Sequence, residues 1–228
     1  VTEKILSKKR PLKIIAHYDT DGITSSAIFS KVLQRSNRLF SLEIVKNLEK
    51  EYIDSLSDRE IYLFLDLGSG SLPHLAKKKT DILIFDHHEI SSEIPDNVTM
   101  INPVLFKEEN IATSALSYLF ARNLSEQNKD LANLAIIGMI GDTFEKNIGR
   151  TYSGILKDAE VTIKRGLLLY PATRPIDKVL ENSFGLYIPN VTGSYHKALE
   201  FLREAGIEKT ERGFKSLAEL TEKEMSNL

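Results

Sequence analysis

Residues 14–22 read IIAHYDTDG, an apolar run that breaks off into one histidine, two aspartates and a glycine within six positions. Asp and Gly are ordinary turn formers, so a single aspartate would be enough to stop a buried strand. Here His17, Asp19 and Asp21 alternate. If the extended path continues they project on one side of the chain, where a strand end offers several ligands to one cation. On this stretch alone a polar turn and a metal site stand level.

Working outward, apolar runs of strand length alternate with stretches of helical spacing. LKIIAH (12–17), LEIVKN (42–47), IYLFLD (61–66) and DILIFD (81–86) are short and rich in Ile, Leu and Phe, and three of them end in His or Asp. Between them SSAIFSKVLQRS (25–36), YIDSLS (52–57) and SLPHLAKK (71–78) read as helices, the last with Pro73 in its first turn after a Ser71 cap. Strand, helix, strand in this order predicts an α/β fold: a doubly wound, mainly parallel sheet with helices on both faces. Right-handed crossovers put every strand's carboxyl end on the same edge, and ligands collect there.

The polar ends of the other runs then fall beside the first. Asp66 closes the third run, and Asp86, His87 and His88 close the fourth. Each has an ordinary reading by itself, Asp66 as a cap before LGSGS and the second group as a polar loop. Three strands ending in ligand-type residues on one edge predict a shared cation site. Further on, TSALSYLFARNL (113–124) and DLANLAIIGMIGD (130–142) read as helices, the second apolar almost all round and hence buried. Gly138 and Gly141 are costly inside a helix and predict a close approach of backbone to something. Asp142 follows directly; a charge at the end of a buried helix is expensive unless paired or metal-bound, although Gly141 and Asp142 also read as a plain stop signal.

Composition bounds the class. With 228 residues, 42% hydrophobic and 27% charged, the chain has ordinary globular composition and the length for one large domain, or one plus a small appendage. The absence of cysteine excludes disulfides, thiolate zinc sites and cysteine nucleophiles, and suits a reducing, cytoplasmic setting. A net charge of −2 removes any global argument for nucleic-acid binding but not a local basic groove. No apolar run of about eighteen residues and no signal-peptide pattern is present, so no membrane partner is expected. The first residue is Val1, which suggests a processed or trimmed chain.

HYDTDG (17–22), LFLDLG (63–68), FDHHE (85–89) and IGMIGD (137–142) resemble, in order, the four motifs of the DHH phosphoesterase superfamily. DLGSGSL (66–72), INPV (101–104), YLFARNL (118–124), RGLLLYPATRPIDKVLE (165–181) and IPNVTG (188–193) resemble the archaeal RecJ-like, GINS-associated nuclease group, relatives of the eukaryotic replication factor that joins MCM and GINS. The resemblance runs from residue 12 to about residue 220. It implies a catalytic DHH domain over 1–160 and a helical C-terminal extension of it over 161–228. It also implies a two-metal site for Mn²⁺, with Mg²⁺ as the alternative. His17, Asp19 and Asp66 resemble the ligands of one ion and Asp21, Asp66, His87 and Asp142 those of the other, with Asp66 bridging. Hard carboxylate oxygens with one or two imidazoles suit such cations independently of the resemblance.

His88 resembles the family's second histidine, which faces the substrate phosphate, and Asp86 is expected to orient a histidine. Ser114, at a helix start, reads as a phosphate contact or as a plain N-cap, and Arg174 as a phosphate contact or a structural salt bridge. The runs Lys8, Lys9, Arg10 and Lys77, Lys78, Lys79 read as solvated faces. Nothing here resembles the glycine-rich DHHA1 domain that the family's nucleases carry. The expectation is a Mn²⁺-dependent nuclease domain that hydrolyses single-stranded DNA or RNA from an end, in replication or repair. Two competitors stand beside it: a scaffold that binds GINS and MCM and cuts little, and a phosphoesterase of short oligonucleotides, cyclic dinucleotides or pyrophosphate.

Overall fold

All the strands expected from the apolar runs form, and a fifth joins them. The computed structural model describes residues 10–106, 109–144, 148–161, 164, 166–167, 169–183 and 185–228. The chain divides into two compact units, Val1–Val161 and Thr162–Leu228. In the first, β1 (Leu12–His17), β2 (Ser41–Val45), β3 (Ile61–Leu65), β4 (Ile82–Phe85) and β5 (Val98–Ile101) form one sheet in the order β2-β1-β3-β4-β5. Every pairing is parallel. β3 and β4 are buried along their whole length, which is why they read as unbroken apolar runs rather than alternating ones.

The strand order reverses between β1 and β3, because β2 lies on one side of β1 and the rest of the sheet on the other. Such a switch point opens a crevice beyond the strands' carboxyl ends. Helices cover both faces. From α1 (Thr20–Arg35) and α4 (Thr113–Leu124), Phe29, Leu33, Leu116 and Phe120 pack against Leu12, Ile14, Ala16, Leu63 and Phe85. The opposite face, with Ile15, Phe64 and Ile84, receives Ile53 from α2 (Lys50–Ser55) and Leu72 and Leu75 from α3 (Leu72–Leu75). Outside α1 and α4, the helices α5 (Ala132–Gly141) and α6 (Arg150–Ala159) complete a separate helical core around Ile28, Tyr118, Ala135, Met139 and Tyr152.

Two local expectations need correction. α1 begins at Thr20 rather than at Ser25, since Asp19 already caps it. Ser71 precedes α3 without capping it: its hydroxyl donates to the Leu48 carbonyl at 3.3 Å. Of the basic runs, Lys8 and Lys9 lie outside the described residues, and Arg10 is tied to the Glu60 carbonyl and Asp81 at 3.0 and 3.3 Å.

The second unit holds α7 (Ile176–Glu181), α8 (Tyr195–Glu204) and α9 (Glu222–Asn227) around Ile176, Leu180, Ala198, Leu202, Leu220 and Met225. Thr221 and Glu224 form a capping box at the start of α9. Arg174 is exposed in this unit, and the stretch 165–181 falls partly outside the described residues. Among the described residues no helix is long and apolar enough to cross a membrane.

Candidate metal centre

His17 ends β1, and Asp19 is the N-cap of α1, its Oδ1 accepting the Gly22 N–H at 3.0 Å. The extended path assumed from the alternation therefore stops after His17, and Asp21 reaches the centre from the first turn of a helix instead. Gly22 permits this abrupt change: a Cβ there would lie 2.3 Å from the His17 carbonyl oxygen.

Asp21 is fully buried, and both its oxygens are held by the start of α4. The Thr113 N–H donates to Oδ2 at 2.6 Å and the Ser114 N–H to Oδ1 at 2.8 Å. A helix start is where a carboxylate is best placed, with free amides and the positive end of the dipole facing it. This overturns the reading of Ser114 as a phosphate contact. Ser114 is fully buried and its hydroxyl donates to the Ala135 carbonyl at 3.2 Å, while the N-cap position belongs to Ala112.

The glycines of α5 explain how that helix comes so near. A Cβ on Gly138 would lie 2.1 Å from Ser114 Oγ and 2.6 Å from Asp21 Oδ1, and one on Gly141 would lie 2.5 Å from Thr20 Cβ. The close approach expected from the sequence is thus to Asp21 and Ser114. Asp142 follows as the C-cap, its N–H bonded to the Gly138 carbonyl at 3.0 Å.

Asp66 leaves β3 in the left-handed region, at φ 61°, with its N–H on the Phe85 carbonyl at 2.9 Å. Aspartate enters that region more readily than most residues. Its carboxylate is buried and accepts the Thr113 hydroxyl on Oδ1 at 3.2 Å. Asp86, after β4, accepts the His87 N–H at 2.8 Å and the Ser69 N–H at 3.0 Å, and its Oδ1 lies 2.7 Å from His88 Nδ1.

These side chains converge in three overlapping groups: His17, Asp19 and Asp66; Asp21, Asp66, His87 and Asp142; and Asp66, His87 and His88. Within each, the potential ligand atoms lie within 4.8 Å of one another. Asp66 belongs to all three, and the first two have the membership implied by the resemblance. The contacts are short without being hydrogen bonds. His17 Nδ1 is 2.8 Å from Asp19 Oδ2 and 3.3 Å from Asp66 Oδ2, and His87 Nε2 is 3.0 Å from Asp142 Oδ2. Even so, His17 Nδ1, Asp66 Oδ2 and both ring nitrogens of His87 are buried with no hydrogen-bond partner. Buried polar atoms left without partners need something to satisfy them, and carboxylate oxygens and imidazole nitrogens this close together fit a divalent cation.

The electrostatics agree. Burial, with the charge of Asp66 adding to it, pushes Asp21 up to about 7. Asp66 is raised too, chiefly by burial. Burial pulls His87 down, but the carboxylates of Asp142 and Asp66 together outweigh it and lift the group to about 10. Without a cation, then, the cluster holds protons to lessen its own repulsion. Asp86 differs: burial works to raise it, and His88 and Ser69 together hold it below the usual carboxylate range. In return Asp86 raises His88.

Two supporting residues do not stand out in the sequence: Thr113, which touches both Asp21 and Asp66, and Asn102, whose Nδ2 donates to Ser69 Oγ at 3.2 Å and to the His88 carbonyl at 2.9 Å. Both lie inside stretches singled out above, but neither carries a charge that would mark it. An open pocket of about 510 Å³ flanks His17, Asp66, Asp86 and His88, with Lys46, Asn47 and Ser71 on its other walls.

Comparison with known proteins accords with this architecture. Residues 12–139 match the DHH family, N-terminal domain, and residues 169–228 match the DHH-CID domain. An uncharacterised protein of Methanocaldococcus jannaschii is 32% identical over 93% of this chain and 52% of its own length. The single-stranded-DNA-specific exonuclease RecJ of Bacillus subtilis is 26% identical over 61% of this chain and 20% of its own. This chain thus spans about half the length of the first relative and a fifth of the second. The crystal structure of an exonuclease RecJ bound to manganese has the same fold, with a TM-score of 0.60 at 19% identity, over 69% of this chain and 44% of that one. The chain therefore belongs to the DHH family, as a RecJ-like member of it.

Proposed function

We propose that this chain is a divalent-metal-dependent phosphodiesterase domain that hydrolyses single-stranded nucleic acid from an end. The observation that carries the reading is that Asp66 is shared by two ligand groups, with Oδ2 3.3 Å from His17 Nδ1 and Oδ1 3.4 Å from His87 Nε2. His17, Asp19 and Asp66 would hold one cation, and Asp21, Asp66, His87 and Asp142 a second; we favour manganese, with magnesium as the alternative. Bound as a pair, such ions supply a water of lowered pKa and a positive clamp on phosphoryl oxygens.

The chain's own groups do the rest. The start of α4 fixes Asp21, and Thr113 fixes Asp66, so the ligands are oriented before any cation arrives. His88 is more than half exposed beside the open pocket, with Nδ1 tied to Asp86. Held protonated by that carboxylate, it presents Nε2–H to a phosphate oxygen, or passes that proton to the leaving oxygen. Arg174, an exposed cation of the second unit, is proposed as a further phosphate contact.

The single-stranded-DNA specificity of the Bacillus subtilis relative supports single-stranded DNA as the substrate class, with RNA the alternative. The archaeal RecJ-like resemblance supports a cytoplasmic role in replication or repair, with GINS and MCM as partners. The deciding experiment incubates end-labelled single-stranded DNA and Mn²⁺ with the wild type and with Asp66→Ala. Short products from the wild type alone support the proposal; equal products from both would remove it.

A further inference from the structure

Beside the polar centre lies an apolar surface that the ligand groups do not use. Tyr18, between His17 and Asp19, is 51% exposed. Its ring meets the His17 ring edge-on, with centroids 4.9 Å apart at 87°. Ile23 on α1 and Ile137 and Ile140 on α5 are exposed by 48%, 48% and 41%. These helices run alongside each other, Thr20 against Gly141 and Asp21 against Gly138, so the isoleucines sit on the outside of the pair whose ends deliver Asp21 and Asp142.

A turn between a strand and a helix has no need of a large aromatic side chain, and exposing one forfeits its burial. Its surroundings suggest what covers it. A cation-binding cluster of carboxylates and imidazoles takes a phosphodiester, while an exposed aromatic ring takes a flat apolar face. An unpaired nucleotide carries both on one molecule. In a duplex the base faces are already stacked on their neighbours and are not offered to a protein.

We propose that Tyr18 is a stacking platform for one unpaired base of the strand whose phosphate enters the centre, and that this contact gives the chain its preference for single strands. The inference rests on the function proposed above and adds a substrate-positioning residue to it. His17 acts as the buttress: fixed between Asp19 and Asp66, it limits the motion of the Tyr18 ring and aligns the stacked base with the centre.

The test compares an intact oligonucleotide with strands carrying one abasic position, moved along the first nucleotides from each end, in Mn²⁺. In the wild type, one abasic position raises KM about tenfold, the loss typical of a stacked base. In Tyr18→Ala the intact strand shows that same rise, and the abasic change adds nothing further. Tyr18→Phe restores the discrimination, and Tyr18→Leu, apolar but not aromatic, does not. 2-Aminopurine placed at that position is quenched on binding to the wild type and Tyr18→Phe but not to Tyr18→Leu, a readout independent of cleavage. Equal KM for intact and abasic strands at every position, with cleavage intact, would overturn the stacking role alone. A wild type that cleaves neither strand would overturn the function it rests on. A dimer in light scattering that becomes a monomer in Ile137→Asp would assign the surface to a second copy and overturn the proposal.

Discussion

Asp21 Oδ1 accepts the backbone N–H of Ser114 at 2.8 Å, so a helix start that looked available for a phosphate is occupied by the protein's own carboxylate. The contact places a buried negative charge where two amides and a helix dipole meet it, and leaves the rest of its electrostatic cost to be met by cations.

That cost gives the metal-free protein a defined pH dependence. Asp21 rises from an ordinary 3.8 to about 7, so its folded-state preference for the proton is fully satisfied below 3.8 and is lost as pH climbs to about 7. His87, raised from 6.5 to about 10, adds stability that is complete below 6.5 and disappears as pH approaches 10. In EDTA, the melting temperature is therefore expected to be higher at mildly acidic than at mildly alkaline pH. Metal must displace the same protons, so the rise in melting temperature on adding Mn²⁺ should grow with pH. Thermal scans at several pH values with and without Mn²⁺ measure both, and an increment that shrinks as pH rises would contradict the assignment.

Gly138 and Gly154 make opposite predictions for the same substitution. A methyl on Gly138 would meet Ser114 Oγ and Asp21 Oδ1 at 2.1 and 2.6 Å, so Gly138→Ala should cost about 1–3 kcal/mol as overpacking and weaken metal binding as Asp21 is displaced. Gly154, exposed within α6, has nothing within 4 Å, and Gly154→Ala should stabilise by about 0.5–1 kcal/mol through helix propensity. Denaturant melts and metal titration calorimetry separate the two.

The Asp86 carboxylate raises His88, and its removal should be visible in the pH profile. With the neutral Asp86→Asn, His88 loses the charge that raises it and deprotonates at lower pH. The alkaline limb of kcat is predicted to move to lower pH, while metal stoichiometry stays at the wild-type value. An unmoved alkaline limb would remove His88 as the proton donor.

Asp66→Asn should leave the fold intact, because asparagine accepts the backbone at φ 61° and can still accept from Thr113. Removing one charge from the cluster should raise the metal-free melting temperature even as hydrolysis is lost. Circular dichroism melts in EDTA check this; a large fall in stability would mean that the Asp66 charge holds the fold rather than a cation.

Much of this architecture is legible in the chain. β1 and α4 have the bounds their apolar patterns suggest, since both are deeply buried over whole periods. β5 escapes notice because VTMI is four residues long and half-buried at an edge, too short for a period to show. The convergence of His17, Asp66 and His87 follows from strand ends sharing an edge, and Asp142 is marked by its place at the end of a buried apolar helix. The route of Asp21 does not, because a helix beginning at Thr20 looks in sequence like a strand running on. Ser114 misleads for a related reason: a hydroxyl at a helix start carries no mark of what already occupies that start.

The proposed function puts Asp66 between two divalent cations. Anomalous scattering from a crystal soaked in Mn²⁺, collected at the manganese edge, measures it directly. Two peaks are expected, one against His17, Asp19 and Asp66 and the other against Asp21, Asp66, His87 and Asp142. No peak at Asp66, or ions bound only elsewhere, would contradict it.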